Sequence, residues 1–188
     1  KLVEYLDKEG VNFIFWVPSI MANIVTLNLL DKRSLSLKYI KFAGEVMPTK
    51  VLNYWREHCV NAIFVNLYGP TEITVDCTFY IVNRVLADEE PVPIGNACRN
   101  SDVLILDSDD NLVTESDVIG ELCVRGSSLA LGYYNDPEKT DKAFVQNPLN
   151  KNYPEKIYRT GDFVTLNSFN EIIYKGRKDS QIKHLGYR

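Results

Sequence analysis

The sequence predicts an α/β fold: the end of a parallel-sheet α/β subdomain, followed by a small β-rich subdomain of the distorted-barrel kind. Before residue 92, short apolar runs alternate with segments of helical spacing; after it, short strands alternate with turns. A hydrophobic fraction of 45% and a charged fraction of 24% over 188 residues match an ordinary globular composition.

In the first part, Val11–Phe15 is a strand candidate. Pro18 opens a helix carrying Met21, Ile24, Val25 and Leu27–Leu30, because proline suits the first helical position. Tyr39–Ala43 is a second strand. Pro48-Thr49 starts a second helix with Val51, Leu52 and Trp55 on one face, and Ala62–Leu67 is a third strand. This alternation implies parallel strands joined by helical crossovers. In the second part, Val103–Leu106 leads into a turn at Asp107–Asn111, and Glu121–Arg125 lies between Gly120 and Gly126. Asp136-Pro137 is a cap and first-turn signal for a helix before Ala143-Phe144. Phe163–Leu166 and Glu171–Tyr174 flank a hairpin at Asn167–Asn170. The expected organisation is 1–92 for the α/β part, 93–175 for the β-rich part and 176–188 as a hinge.

A net charge of −4 gives no electrostatic reason to expect nucleic acid as partner. The apolar run around Phe13 to Val17 is far too short for membrane insertion. The cysteines Cys59, Cys77, Cys98 and Cys123 form no C-x-x-C pair and have no histidine at ligand spacing, so a zinc site is not expected. They read as reduced core residues of a cytoplasmic protein. The start, Lys1-Leu2-Val3-Glu4, shows neither Met nor a signal-peptide pattern. Asp107-Ser108-Asp109-Asp110-Asn111 resembles the start of a calcium loop, but Leu112 and Val118 stand where that loop needs Gly and Glu. It is read as a polar turn.

In open parallel sheets ligands bind at the carboxyl ends of strands. Asn66-Leu67-Tyr68-Gly69-Pro70-Thr71-Glu72 follows the third strand there. Tyr68 offers a ring face to a purine, Gly69 lets backbone approach a ligand, Thr71 can donate to a phosphate, and Glu72 can ligate Mg²⁺. The same residues also make an ordinary strand-to-helix turn. Tyr158-Arg159-Thr160-Gly161-Asp162 reads as a turn with a free carboxylate suited to a ribose diol. Gly120-Glu121-Leu122-Cys123-Val124-Arg125-Gly126 reads as a strand between glycines, and Gly176 to Lys183 as a charged connector. Each is weak alone; their order and spacing together are specific.

Taken together, these segments resemble the consecutive core motifs of the adenylation domains of non-ribosomal peptide synthetases, in the superfamily of acyl-CoA synthetases and luciferases. Phe42 to Pro48 and Leu185-Gly186-Tyr187-Arg188 are similar to the D-alanine–carrier-protein ligase branch. The resemblance implies ATP-dependent activation of an amino acid or other carboxylic acid as an adenylate, then capture by the phosphopantetheine thiol of a carrier protein. It implies that Asn66 bonds the adenine amino group, Tyr68 stacks on the ring, Thr71 meets the α-phosphate and Glu72 the Mg²⁺. Asp162 would hold the ribose, Tyr174 would lie near the adenine, and Arg177 near ribose and phosphate. Asp179 matches the hinge. Phe15, Lys41, Ala43, Leu67, Val75 and Asp76 would line the substrate pocket, where they also serve plain core packing.

Two positions depart from that pattern. Lys41 stands where relatives carry an apolar residue; it would face an acidic substrate side chain or Asp76, or turn to solvent. His184 replaces an aliphatic residue. The family's Gly-rich phosphate loop and its catalytic lysine find no counterpart in the sequence, so the chain is expected to be a partial segment that adenylates nothing by itself. The rival readings are an acyl-CoA or aryl-acid ligase of the same superfamily and a non-catalytic nucleotide-binding module.

Overall fold

The computed structural model describes residues 1–31 and 35–178. Among the described residues two compact units emerge: Lys1–Leu67 with Tyr80–Val92, and Tyr68–Phe79 with residues 93–178. The stretch that carries Tyr-Gly-Pro-Thr-Glu therefore packs with the β-rich unit.

In the first unit, α1 (Leu2–Lys8) buries Val3 and Leu6, one helical turn apart. β1 (Phe13–Trp16), β2 (Tyr39–Phe42) and the paired part of β3 (Ile63–Tyr68) run parallel, with Ile14 opposite Ile40 and Ile40 opposite Phe64. α2 (Pro18–Thr26) starts at Pro18 as expected but stops at Thr26, short of the apolar run to Leu30. Asn28 takes the left-handed conformation at φ 49°. Its N–H bonds Val25 O, and the Leu29 N–H bonds Ile24 O. That paired cap satisfies the last carbonyls and ends the helix whatever hydrophobicity follows.

α3 (Thr49–His58) buries Thr49, Leu52 and Trp55 at a spacing of three. The Trp55 indole N–H donates to Met21 O on α2, 3.2 Å away, and its ring meets Trp16 edge-on at 6.3 Å. Met21, Ile24, Leu52 and Trp55 form one core with Ile14, Ile40, Phe42 and Phe64. The opposite sheet face leaves Phe13, Phe15, Tyr39 and Ile63 exposed.

In the second unit, β6 (Ser101–Leu106), β7 (Gly120–Gly126), β9 (Lys156–Leu166) and β10 (Ile172–Arg177) form an antiparallel half-barrel in the order β10-β9-β7-β6. β8 (Phe144–Gln146) also pairs with β9. Within this unit, Thr78 and Phe79 of β4 (Thr78–Ile81) pair antiparallel with β5 (Asn96–Ala97). α4 (Pro137–Ala143) is capped by the Asp136 side chain, which accepts from the Lys139 N–H at 3.0 Å.

The two polar turns share one device. Asn167 Oδ1 accepts from the N–H groups of Phe169 and Glu171, and Asp107 Oδ1 from those of Asp109 and Asn111. The core holds Tyr68, Ile73, Ile94, Leu122, Val124, Phe144, Tyr158, Val164 and Ile172.

Contrary to the expectation from sequence, Arg159 to Asp162 is not a turn; it lies inside the long strand β9. The irregularity is a register break. Glu121 pairs with Phe163 and Cys123 with Arg159, so Thr160, Gly161 and Asp162 together oppose Leu122.

Candidate nucleotide site

The motif segment begins at the end of β3. Gly69 and Pro70 lead into a single 3-10 turn, Thr71–Ile73. Thr74 and Val75 then both take positive φ, 61° and 79°. The Asp76 N–H donates to Thr74 O at 3.2 Å, which makes Val75 the centre of a γ-turn. Two β-branched residues in that region are strained, so surrounding contacts must hold them. Thr74 Oγ1 donates to Ser128 O at 2.9 Å, and the Cys77 N–H closes the loop on Tyr68 O at 2.8 Å.

Gly69 serves this closure. A Cβ there would come within 2.5 Å of Val75 O, 2.7 Å of Asp76 Cα and 2.8 Å of Cys77 N. A side chain at this position would therefore collide with the loop's own backbone.

Glu72 is buried, and the Tyr133 hydroxyl donates to its Oε1 at 2.9 Å. The Ala130 N–H donates to the Glu72 carbonyl at 2.8 Å. The loop after β7 therefore braces the residue expected to meet Mg²⁺. Thr71 is exposed, Val75 is exposed and Asp76 half-buried.

Asp162 is the hub of a second cluster. Only 3% exposed, it accepts a short hydrogen bond from the Tyr68 hydroxyl on Oδ2, and Arg177 Nη1 bonds Oδ1 at 2.9 Å. The carboxylate expected to be free is thus held from two sides. Each carboxylate oxygen carries two lone pairs, so an oxygen already bonded can also accept a ligand hydroxyl. The Tyr68 and Tyr174 ring centroids lie 6.4 Å apart. Burial, and then the Asp162 charge, push the Tyr68 phenol well above its ordinary pKa, so it remains a donor at neutral pH.

Three sequence-distant motifs thereby meet within the second unit: Tyr68, Asp162, and Tyr174 with Arg177. Asn66, Leu67, Phe15, Lys41 and Ala43 belong to the first unit. There Asn66 is buried opposite Phe42, and Phe15 pairs in register with Lys41. The Lys41 ammonium stands over the Phe13 ring, 5.5 Å from its centroid, a cation–π contact between adjacent strands. Asp179 and His184 lie outside the described residues.

Sequence reasoning missed Tyr133 and Glu121. The Tyr133 contact spans 61 positions and has no local signal. Glu121 could have been found: a carboxylate in an otherwise apolar strand implies burial with a partner.

A model of the family described as "AMP-binding enzyme" matches residues 1–134. Zwittermicin A synthase ZmaJ of Bacillus cereus is 34% identical over 100% of this chain, which spans 36% of that protein's length. The Vibrio cholerae adenylation domain AlmE, solved in complex with glycyl-adenosine-5'-phosphate, superposes with a TM-score of 0.88 at 28% identity, over 100% of this chain and 35% of its own. A non-ribosomal peptide synthetase protein containing adenylation and carrier (PCP) domains gives 0.88 at 29% identity, over 96% of this chain and 31% of its own. Among the described residues, no helix is long and apolar enough to cross a membrane.

Proposed function

Because the chain belongs to the AMP-binding enzyme family, we propose that it supplies walls of the nucleotide site in an adenylating ligase that activates an amino acid. Enzymes of this family use ATP. In the reaction, a substrate carboxylate oxygen attacks the α-phosphorus, the bond to the pyrophosphate oxygen breaks, and an aminoacyl adenylate results. A phosphopantetheine thiol of a carrier protein then displaces AMP. The adenylation–carrier architecture of one similar structure supports this partner. The observation that carries the reading is the convergence of Tyr68, Tyr174 and Arg177 around the buried Asp162 carboxylate.

Asp162 accepts the ribose hydroxyls, with Arg177 holding its orientation and adding positive charge beside ribose and phosphate. Tyr68 and Tyr174 present rings to the adenine, Asn66 bonds its amino group, and Gly69 keeps the loop in shape. Thr71, exposed at the turn, donates to the α-phosphate. Such preorganised donors stabilise charge without rearranging during the reaction.

Glu72 fits a Mg²⁺ ion. It is a buried carboxylate oriented by the Tyr133 hydroxyl, and Mg²⁺ takes one or two carboxylates and completes its shell from phosphate and water. Bound there, the ion would neutralise phosphate charge. Phe15, Lys41, Ala43, Leu67, Val75 and Asp76 are assigned to substrate recognition, and Asp179 to the hinge. The buried free thiols Cys59, Cys77 and Cys123 suit a reducing, cytoplasmic setting.

ATP–pyrophosphate exchange by the full-length protein, with a panel of amino acids, aryl acids and fatty acids, tests the reading; the 188-residue segment alone is expected to give none. Exchange stimulated by one or a few amino acids is expected. Exchange driven only by aryl or fatty acids overturns the amino-acid assignment. Absence of AMP binding in calorimetry overturns the nucleotide site itself.

A further inference from the structure

The register break in β9 creates an accounting problem for the backbone. Three residues, Thr160 to Asp162, oppose the single residue Leu122, so their amides cannot all find ladder partners on β7. Side chains take over. The Thr160 hydroxyl donates to Leu122 O at 2.6 Å and accepts from the Asp162 N–H at 3.0 Å. The Gly161 N–H donates to Glu121 Oε1 at 3.0 Å. On the other edge, the Lys178 N–H donates to Gly161 O at 2.8 Å.

Gly161 sits at φ 70°, which glycine adopts without strain. A Cβ there would also approach the Arg177 guanidinium to 3.1 Å. The Glu121 carboxylate has a 9% exposed side chain, and its other oxygen, Oε2, pairs with Arg159 Nη1 at 3.1 Å. Arg159 in turn bonds Asp110.

We infer that Glu121 is a positioning residue for the nucleotide: its buried carboxylate holds the Gly161 amide, and so fixes the strand kink that aims Asp162. This rests on Asp162 being the ribose acceptor. Glu121 itself touches no substrate. It acts one residue upstream of Asp162, through the backbone. An acceptor at this point does two things that a hydrophobic residue cannot. It satisfies an amide that the ladder has abandoned, and it anchors the kink from β7, the strand on the side opposite Arg177.

The test is ribose discrimination, the ratio of affinities for AMP and 2′,3′-dideoxy-AMP, measured by calorimetry on the protein. In the wild type the ratio should reach about tenfold or more, the scale of hydrogen bonds to a charged acceptor. Glu121→Ala should bring it close to one. Glu121→Gln keeps an oxygen for the Gly161 amide while giving up the charge pair, and should restore the ratio to within about threefold of wild type. Glu121→Asp keeps the charge but withdraws the acceptor by one methylene, and should lose discrimination; it decides the matter if the alanine variant does not fold. Full discrimination in a folded Glu121→Ala or Glu121→Asp protein overturns the inference. A wild type that binds AMP without discriminating overturns the ribose role of Asp162 on which it rests, and a wild type that binds no AMP overturns the nucleotide site.

Discussion

Gly69→Ala offers a direct test of how the motif loop is built. Gly69 is not in the left-handed region, so alanine adds no backbone strain; the whole cost is steric. The new methyl would meet three backbone atoms, Val75 O, Asp76 Cα and Cys77 N, at 2.5, 2.7 and 2.8 Å. Backbone cannot swing aside as a flexible side chain can, so the strained γ-turn must move as a block. Overpacking of this kind costs about 1–3 kcal/mol. Displacing the loop also weakens the Cys77 N–H to Tyr68 O bond, for about 1 kcal/mol more. A loss of about 3 kcal/mol lowers the melting temperature of a chain this size by about 6–12 °C.

Gly10→Ala is the comparison, at φ 61° with no atom within 4 Å of the added carbon. Its cost is backbone conformation alone, about 1 kcal/mol or about 2–4 °C. Both tryptophans lie in the first unit, so far-UV circular dichroism is the probe, with AMP titration as the second readout. AMP affinity should fall for Gly69→Ala and stay unchanged for Gly10→Ala. If Gly69→Ala melts within about 2 °C of wild type, close backbone packing is not the reason glycine stands there.

Further expectations follow from the same geometry. Tyr133→Phe removes the donor to Glu72, and should weaken Mn²⁺ binding in the presence of ATP by about tenfold in an electron paramagnetic resonance titration, with AMP affinity unchanged. Burial pushes the Cys77 and Cys123 thiols up to about 12, and Tyr68 well above its ordinary value. Raised folded-state values mean that the unfolded chain loses its protons first, so stability is fully present below about pH 9 and falls as pH rises toward 12. Urea midpoints should therefore drop between about pH 9 and 11, and a midpoint that rises there contradicts the burial argument. Cys98, half-buried where the other three are buried, should react first with a thiol reagent under native conditions, as peptide mapping would show. Lys41→Met removes the contact with the Phe13 ring, about 0.5–1 kcal/mol at an exposed site. It should alter the ranking of substrates in pyrophosphate exchange by the full-length protein, and an unaltered ranking removes Lys41 from substrate recognition.

The elements read correctly from sequence are those where one local signal suffices. Pro18 and Asp136-Pro137 start their helices because a missing N–H and a capping carboxylate are local facts. The parallel strands follow from alternating apolar segments. The failures have a common cause: backbone behaviour set at a distance. The run to Leu30 looked helical throughout, yet the left-handed Asn28 stops α2 at Thr26. Arg159 to Asp162 has the composition of a turn. It is strand because β7, β8 and β10 pair along β9, and Glu121 satisfies the amide that the ladder drops. The motif residues were identifiable as candidate nucleotide ligands, but not the fact that the Asp162 carboxylate already carries Tyr68 and Arg177. Nothing near Tyr133 announces its bond to Glu72.

The grouping of Tyr68–Phe79 with residues 93–178 matters for recombination between related enzymes. A graft that replaces a continuous block through residue 92 would import a foreign motif loop onto a resident half-barrel. The hydrogen bonds at risk are those to Asp162, Ser128, Ala130 and Tyr133. Only the bonds to the Asp162 and Tyr133 side chains depend on residue identity; those to Ser128 O and from the Ala130 N–H are made by backbone. The crossovers that respect these bonds fall at 67/68, 79/80 and 92/93. Residues 68–79 should then be inherited with the half-barrel, while the flanking segments, with Phe15, Lys41 and Ala43, are exchanged around them.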